Sequence, residues 1–320
     1  MNSTACSSLI GDGHQLCFAS NAFPFYYSPK PRLLNGVSDV MLTVISPVVA
    51  YWSLSLIFHA LDMSTWKWLD KYRLHDSKEV KSRNLATRSQ VIWAVILQQA
   101  IQTALGIIWL EEETQHRVLH TEDLGRLAVI IKPFLSPIVG DSMKPVLLMR
   151  VTEVVYWWAI PGVQLLTAMF IIDTWQYFLH RLMHNNKFLY KQFHSWHHRL
   201  YVPYAFGSLY NHPLEGFLLD TLGALIAEKV TGMSTRQAMF LFTFSTLKTV
   251  DDHCGYSLPW DPLQMLTGNN ADYHDIHHQA IGIKSNFAQP FFIHWDTLLG
   301  TRMTREDIER RRQKQDLKSQ

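Results

Sequence analysis

Eight histidines of this 320-residue chain stand in three short boxes. HRLMH holds His180 and His184, HSWHH holds His194, His197 and His198, and HDIHH holds His274, His277 and His278. On a helix, residues three or four apart share a face, so each box projects two or three imidazoles in one direction. Imidazole nitrogen suits iron, zinc or copper. Eight imidazoles are too many for one ion, and two metals sharing the set is the economical reading. A lone histidine on an apolar face is ordinarily a hydrogen-bonded core residue, which is the reading for His59 and His294. Eight clustered imidazoles beside a membrane would be costly without a shared partner. His212, in NHPLEG, and His253, in DDHCGY, complete the expected ligand set, each at one end of a predicted hairpin; an isolated histidine can instead support a ligand from behind.

The neighbouring residues narrow the metal. Carboxylate-bridged di-iron bundles use Glu-x-x-His, and the zinc proteases use HExxH; neither occurs in this region. A nitrogen-rich site suits oxygen activation by ferrous iron more than hydrolysis by a single zinc. Ligating imidazoles need an acceptor at the other ring nitrogen. Asp173, Glu215, Asp251, Asp252, Asp272 and Asp275 lie in or beside the boxes and are candidates, with helix capping as their alternative role.

The elements that must position these boxes are apolar. Hydrophobic residues make up 48% of the chain and charged residues 18%, against roughly 25% charged in soluble domains. No formal charge occurs from Val40 to Leu61 or from Ser89 to Leu110, and both runs reach the roughly 20 residues a helix needs to cross a bilayer. A third run lies between Glu153 and Asp173, with Pro161-Gly162 predicting a kink. Two shorter legs, Leu214–Ala227 and Gln237–Leu247, joined through Thr231-Gly232, predict a helical hairpin dipping into the membrane. Leu127–Val139, broken by Pro133 and Pro137, is too short to span and is expected at the interface. The fold class predicted is all-α and polytopic, with about four membrane-embedded segments or hairpins.

Orientation follows the basic residues. Lys67, Lys71, Arg73, Lys78, Lys81, Arg83 and Arg88 lie between the first two spans, and Arg302, Arg305, Arg310, Arg311, Arg312, Lys314 and Lys318 in the tail. Both segments are expected in the cytosol, which puts the N-terminus in the lumen and the boxes on the cytosolic side. The expected organisation is a lumenal segment 1–36, a membrane-embedded domain 37–300 and a basic tail 301–320, the stretch after Glu306 being a solvated helix or disordered. Asn2-Ser3-Thr4 is a glycosylation sequon on the lumenal side, Cys6 and Cys17 are placed to pair there or to remain free thiols, and no cleavable signal peptide is expected. A net charge of +2 gives no global field for nucleic acid.

Taken together, the boxes and the short gap between the first two resemble the fatty acid hydroxylase superfamily. DTWQYFLHRLMH, VPYAFGSLYNHPLEGFLLDTLG, LKTVDDHCGYSLPWDP and YHDIHHQAIGIKSNFAQPFF closely resemble the sphinganine C4-hydroxylases of fungi, and the likeness covers Val37 to about Gly300. The resemblance implies an endoplasmic reticulum enzyme with two iron ions that uses molecular oxygen to hydroxylate C4 of a sphingoid base, free or as a ceramide. It also implies electrons from NAD(P)H through a reductase and cytochrome b5, since the chain has no dinucleotide fingerprint of its own. Arg181, Lys187, Lys191 and Arg199 interleave with the boxes and are candidates either for docking such an acidic donor or for snorkelling to lipid phosphates. Within the aromatic stretch from Leu200 to Glu215, Tyr204 and Tyr210 are candidate substrate contacts, with an interfacial aromatic belt as the alternative. A sterol C4-methyl oxidase, a lipid desaturase, a di-zinc hydrolase and a non-catalytic metal-handling membrane protein are the rival readings.

Overall fold

The computed structural model describes residues 4–7, 16–19, 23–112, 120–140, 144–265 and 267–319; the Asn2 end of the sequon lies outside them. The chain divides into two compact units, residues 1–39 with 112–166, and residues 40–111 with 167–320. Both are mostly helical.

In the first unit, two short strands, Thr4–Ser7 and Leu16–Ala19, pair antiparallel with Cys6 opposite Cys17. The apolar piece around Leu127 belongs to a longer helix, His120–Val139, with Pro133 and Pro137 inside it. Each proline removes one ladder hydrogen bond, but neither stops the helix, which ends at Gly140 in the left-handed region (φ +86°). Leu124, Ala128 and Leu148 form this unit's small core. The His120 ring is held between the hydroxyls of Tyr27 (2.6 Å) and Tyr156 (2.9 Å).

Among the described residues, three helices are long and apolar enough to cross a membrane: Asp39–Met63, Arg88–Trp109 and Pro145–Asn185. They match the three predicted spans, and the third continues well beyond Asp173, so its last turns carry the first histidine box. Where Pro161 predicts a kink, the helix passes through a π segment, Val155–Ala159. Pro161 has no N–H for the carbonyl of Trp157 four residues back, and the Tyr26 hydroxyl hydrogen-bonds that carbonyl instead. The second span begins with a capping box, in which Thr87 accepts from the Gln90 N–H and Gln90 accepts from the Thr87 N–H.

In the second unit the hairpin is present and longer than the hydropathy suggests. Its first arm is continuous from 213 to 231, with a π turn at Phe217–Leu222, and its second is Thr235–Asp252. Gly232, at φ +59°, closes the first arm, and a Ser234–Gln237 capping box opens the second. The hairpin tip reaches the far end of the second span, where Thr235 Oγ1 donates to the Glu111 carbonyl at 3.2 Å. The π turn has a packing reason: Trp175 Nε1 donates to the Leu218 carbonyl (2.7 Å), and Gly223 lies so near that indole that a Cβ there would stand 2.6 Å from it. The tail is less detached than its charge suggests. Ile308 is buried with Ile276 and Met303, and Arg305 bonds Asp272 (2.8 Å) and Asp275 (2.5 Å).

Candidate metal centre

Box one occupies the end of the third span. Box two is a 3₁₀ segment, His194–Arg199, entered through a short helix capped by Asn186. Box three lies on the helix Ala271–His278, capped by Asn270. His253 stands just past the end of the second hairpin arm. These four elements bring nine imidazoles together in two groups, within each of which the ligand nitrogens lie within 4.8 Å of one another. His180, His184, His194, His198 and His277 form one group; His197, His253, His274 and His278 form the other. All nine are buried.

The boxes do not each serve one group. His197 and His198 are neighbours and part to different groups, as do His277 and His278. On a 3₁₀ turn His194 and His197 stack, with centroids 5.8 Å apart, yet their ring nitrogens reach different groups.

The second nitrogen of each ring tests whether the groups suit a metal. The Nδ1–H groups of His180, His277 and His278 donate to the carbonyls of Phe287 (2.8 Å), Ser285 (2.7 Å) and Leu200 (2.8 Å). Those of His253 and His197 donate to the carbonyls of Thr249 (2.8 Å) and Tyr210 (3.3 Å), and that of His194 to Glu215 Oε1 (2.5 Å). A neutral imidazole with its proton on Nδ1 has a bare lone pair on Nε2. These Nε2 atoms converge: His180 and His194 are 3.0 Å apart, His194 and His184 2.7 Å, and His253 and His197 3.4 Å. Lone pairs facing each other this closely repel, and a cation between them removes the repulsion. Burial, then the neighbouring imidazoles, push His194, His198 and His274 well below the usual imidazole range, and burial takes His197 down to about 4. The rings are therefore neutral, the form that binds metal. The donor set fits two transition-metal ions.

Of the six acids expected behind the ligands, Glu215 alone bonds a histidine of the two groups. The others fix the elements. Asp173 accepts from the N–H groups of Phe291 (3.0 Å) and Phe292 (2.7 Å). Asp251 takes Gln264, and Asp252 pairs with the fully buried Lys248, which also donates to the Asn269 carbonyl (2.9 Å). Sequence reasoning missed the loop 285–288, whose carbonyls hold His180 and His277. Asn286 turns that loop through φ +55°, a region asparagine tolerates, and its side chain is tied to Tyr273 and Met303. Asp296 accepts from the Phe287 and Ala288 N–H groups. The signal available was the Ser-Asn pair and the closing proline of SNFAQP, which mark a shaped loop without saying what it holds.

Three expected site residues fall outside both groups. His212 caps the first hairpin arm, its Nδ1 accepting from the Leu214 N–H at 3.2 Å, and its ring lies against Phe193 and Trp196. Tyr204 and Tyr210 are buried in the core cluster around Tyr51, Leu200 and Phe206; Tyr210 meets the site through its carbonyl.

Comparison with known proteins agrees with this geometry. The fatty acid hydroxylase family model matches residues 165–301, which contain all nine histidines. A sphingolipid C4-hydroxylase of Saccharomyces cerevisiae is 50% identical over 274 residues, covering 85% of this chain and 74% of the yeast protein. Sphinganine C4-monooxygenase 1 of Arabidopsis thaliana is 43% identical, covering 84% of this chain and 89% of the plant protein. A very-long-chain aldehyde decarbonylase of Oryza sativa is 42% identical, covering 86% and 93%. No solved structure matches. With such identity across most of both chains, and the family model lying over the histidine groups, the chain belongs to the fatty acid hydroxylase family.

Proposed function

We propose that this chain is a sphinganine C4-monooxygenase of the endoplasmic reticulum membrane, inserting one atom of molecular oxygen at C4 of a sphingoid base. The observation that carries the reading is the pair of neutral, lone-pair-converging imidazole groups, in a chain half identical to a sphingolipid C4-hydroxylase. Iron is the metal proposed for both groups; bound there, it supplies the oxygen activation and the C–H cleavage that no side chain can perform. The protein's residues hold geometry. Glu215 and the carbonyls of Phe287, Ser285, Leu200, Tyr210 and Thr249 keep six rings in one tautomer. The other oxygen atom leaves as water, which requires two electrons and two protons. Cytochrome b5 and its reductase are the proposed source, docking where the exposed Lys187, Lys191 and Arg199 surround box two. The basic segments between the first two spans and in the tail support a cytosol-facing site.

Mass spectrometry of lipids from cells with and without the protein tests the reading. A sphingoid base should gain one oxygen in its presence. An aldehyde losing its carbonyl carbon would favour the reaction in the name of the rice relative. An oxidised sterol or a new double bond would favour the other di-iron chemistries.

A further inference from the structure

A cavity with about 140 Å³ of room for water-sized spheres, open at its mouth, lies between the first two spans, the third span and both hairpin arms. One end approaches the histidine groups. Among its lining residues, Gln176 precedes His180 by one helical turn, and Thr249 gives its carbonyl to His253. The other end is the apolar cluster of Val44, Leu110, Leu225 and Phe242. From Gln99 to Leu110 the wall runs about 16 Å along the second span, at 1.5 Å per residue.

Among the described lining residues of this cavity, the one that ionises is Asp220. It lies five residues beyond Glu215, on the π turn, and so about one turn deeper than the carboxylate that bonds His194. Gln98 Nε2 donates to Asp220 Oδ2 at 3.1 Å, and Gly216 is packed so tightly on the Gln98 amide that a Cβ there would stand 2.5 Å from it. That packing fixes the amide, which fixes the carboxylate. Asp220 stays partly accessible although it sits on an apolar arm, because it faces the cavity. Among the described lining residues there is no lysine or arginine to neutralise it. An acid at such depth is costly unless something pairs with it.

We propose that Asp220 is the counter-charge for the ammonium group of a free sphingoid base, so that the cavity selects the free amine over the N-acylated lipid. The inference rests on the sphingoid reading above and deepens it. The amine-bearing carbon is only two carbons from C4, so an ammonium held at Asp220 keeps C4 at that same, histidine-facing end of the cavity. The alkyl chain then runs toward Leu110. An amide in place of the ammonium cannot neutralise the carboxylate.

The test uses the full-length, metal-loaded protein with sphinganine and N-acetylsphinganine of equal chain length, read as KM with O2 and with cytochrome b5 and its reductase supplied, and as equilibrium binding without turnover. Wild type should favour the free base. Asp220→Asn should raise KM for the free base roughly tenfold or more, the scale of a lost charge-assisted hydrogen bond, and should abolish the preference. Asp220→Glu should keep it, and metal content should stay at two ions per chain in both. Equal treatment of the two lipids by wild type, or equal weakening of both by Asp220→Asn, overturns the proposal. Should the Asn variant not fold, the wild-type comparison decides alone. Wild type that binds the free base selectively but converts neither lipid would sink the C4-monooxygenase reading and leave the carboxylate pairing intact.

Discussion

His75 Nε2 lies 2.7 Å from Asp275 Oδ1, joining two residues 200 positions apart. Asp275 stands between the box-three histidines His274 and His277, and its second oxygen takes Arg305 at 2.5 Å. The other nitrogen of His75 faces Glu79 at 2.8 Å. The helix carrying the third box is thus gripped from outside by a residue that follows the first span and by one from the tail.

This grip has a pH signature. The Asp275 hydrogen bond raises the pKa of His75; burial opposes it, and the charges of Asp275 and Glu79 add to it. A histidine whose pKa rises on folding stabilises the fold fully below its unfolded value of about 6.5, and the contribution disappears as pH climbs through the folded value. The melting-temperature advantage of wild type over His75→Gln, measured in detergent, should be larger near about pH 6 than near about pH 9. An advantage independent of pH would show that protonation of His75 is not what matters.

Metal content should follow the grouping of the rings. His277→Ala should deplete the five-histidine group and His274→Ala the four-histidine group, each lowering the metal bound per chain, while His212→Ala should retain the full complement. Elemental analysis of the purified variants checks this. Loss of metal from the His212 variant would bring that residue back into the ligand set.

Glu215→Gln keeps the shape of the side chain and removes its charge from the Nδ1 of His194. Losing an orienting carboxylate typically costs 10- to 100-fold in metal affinity, and a loss of roughly that size is expected in competition against a graded series of chelators. Unchanged affinity would mean that packing alone orients His194.

Cys6 and Cys17 are register partners in the antiparallel pair. If the N-terminus lies in the lumen, an oxidising compartment, as proposed, the two are expected to form a disulfide. Thiol labelling of sealed microsomes, before and after reduction, should detect it, and a tag at the C-terminus should be cleaved from the cytosolic side. Free thiols at both positions together with a protected tag would invert the topology.

The spans and the boxes were legible in the sequence because their signals are local: an uncharged run of span length, and histidines three or four apart. The hairpin was legible except for its reach, since Asp220 and the π turn around it interrupt an arm that packing against Trp175 keeps helical. What could not be read was the partition of the rings. Whether His197 joins His253 or His194 depends on how a 3₁₀ turn, a span end and a distant helix meet in space. The acceptors behind the rings were equally hidden, because five of the six are backbone carbonyls, which any residue carries. For the same reason Tyr210 reaches the site by its main chain, while its ring and that of Tyr204 fill the core.

The parting of neighbouring histidines to different groups makes each box a unit of fixed gauge. Deleting or inserting one residue between His194 and His198, or between His274 and His278, is expected to turn the rings away from their present groups. The connections outside the boxes are held to a fixed shape where they supply an acceptor to a ring, as Ser285, Phe287, Leu200 and Tyr210 do. Divergence in this architecture is therefore expected to lengthen the connections only away from those carbonyls, and to leave the count inside the boxes alone.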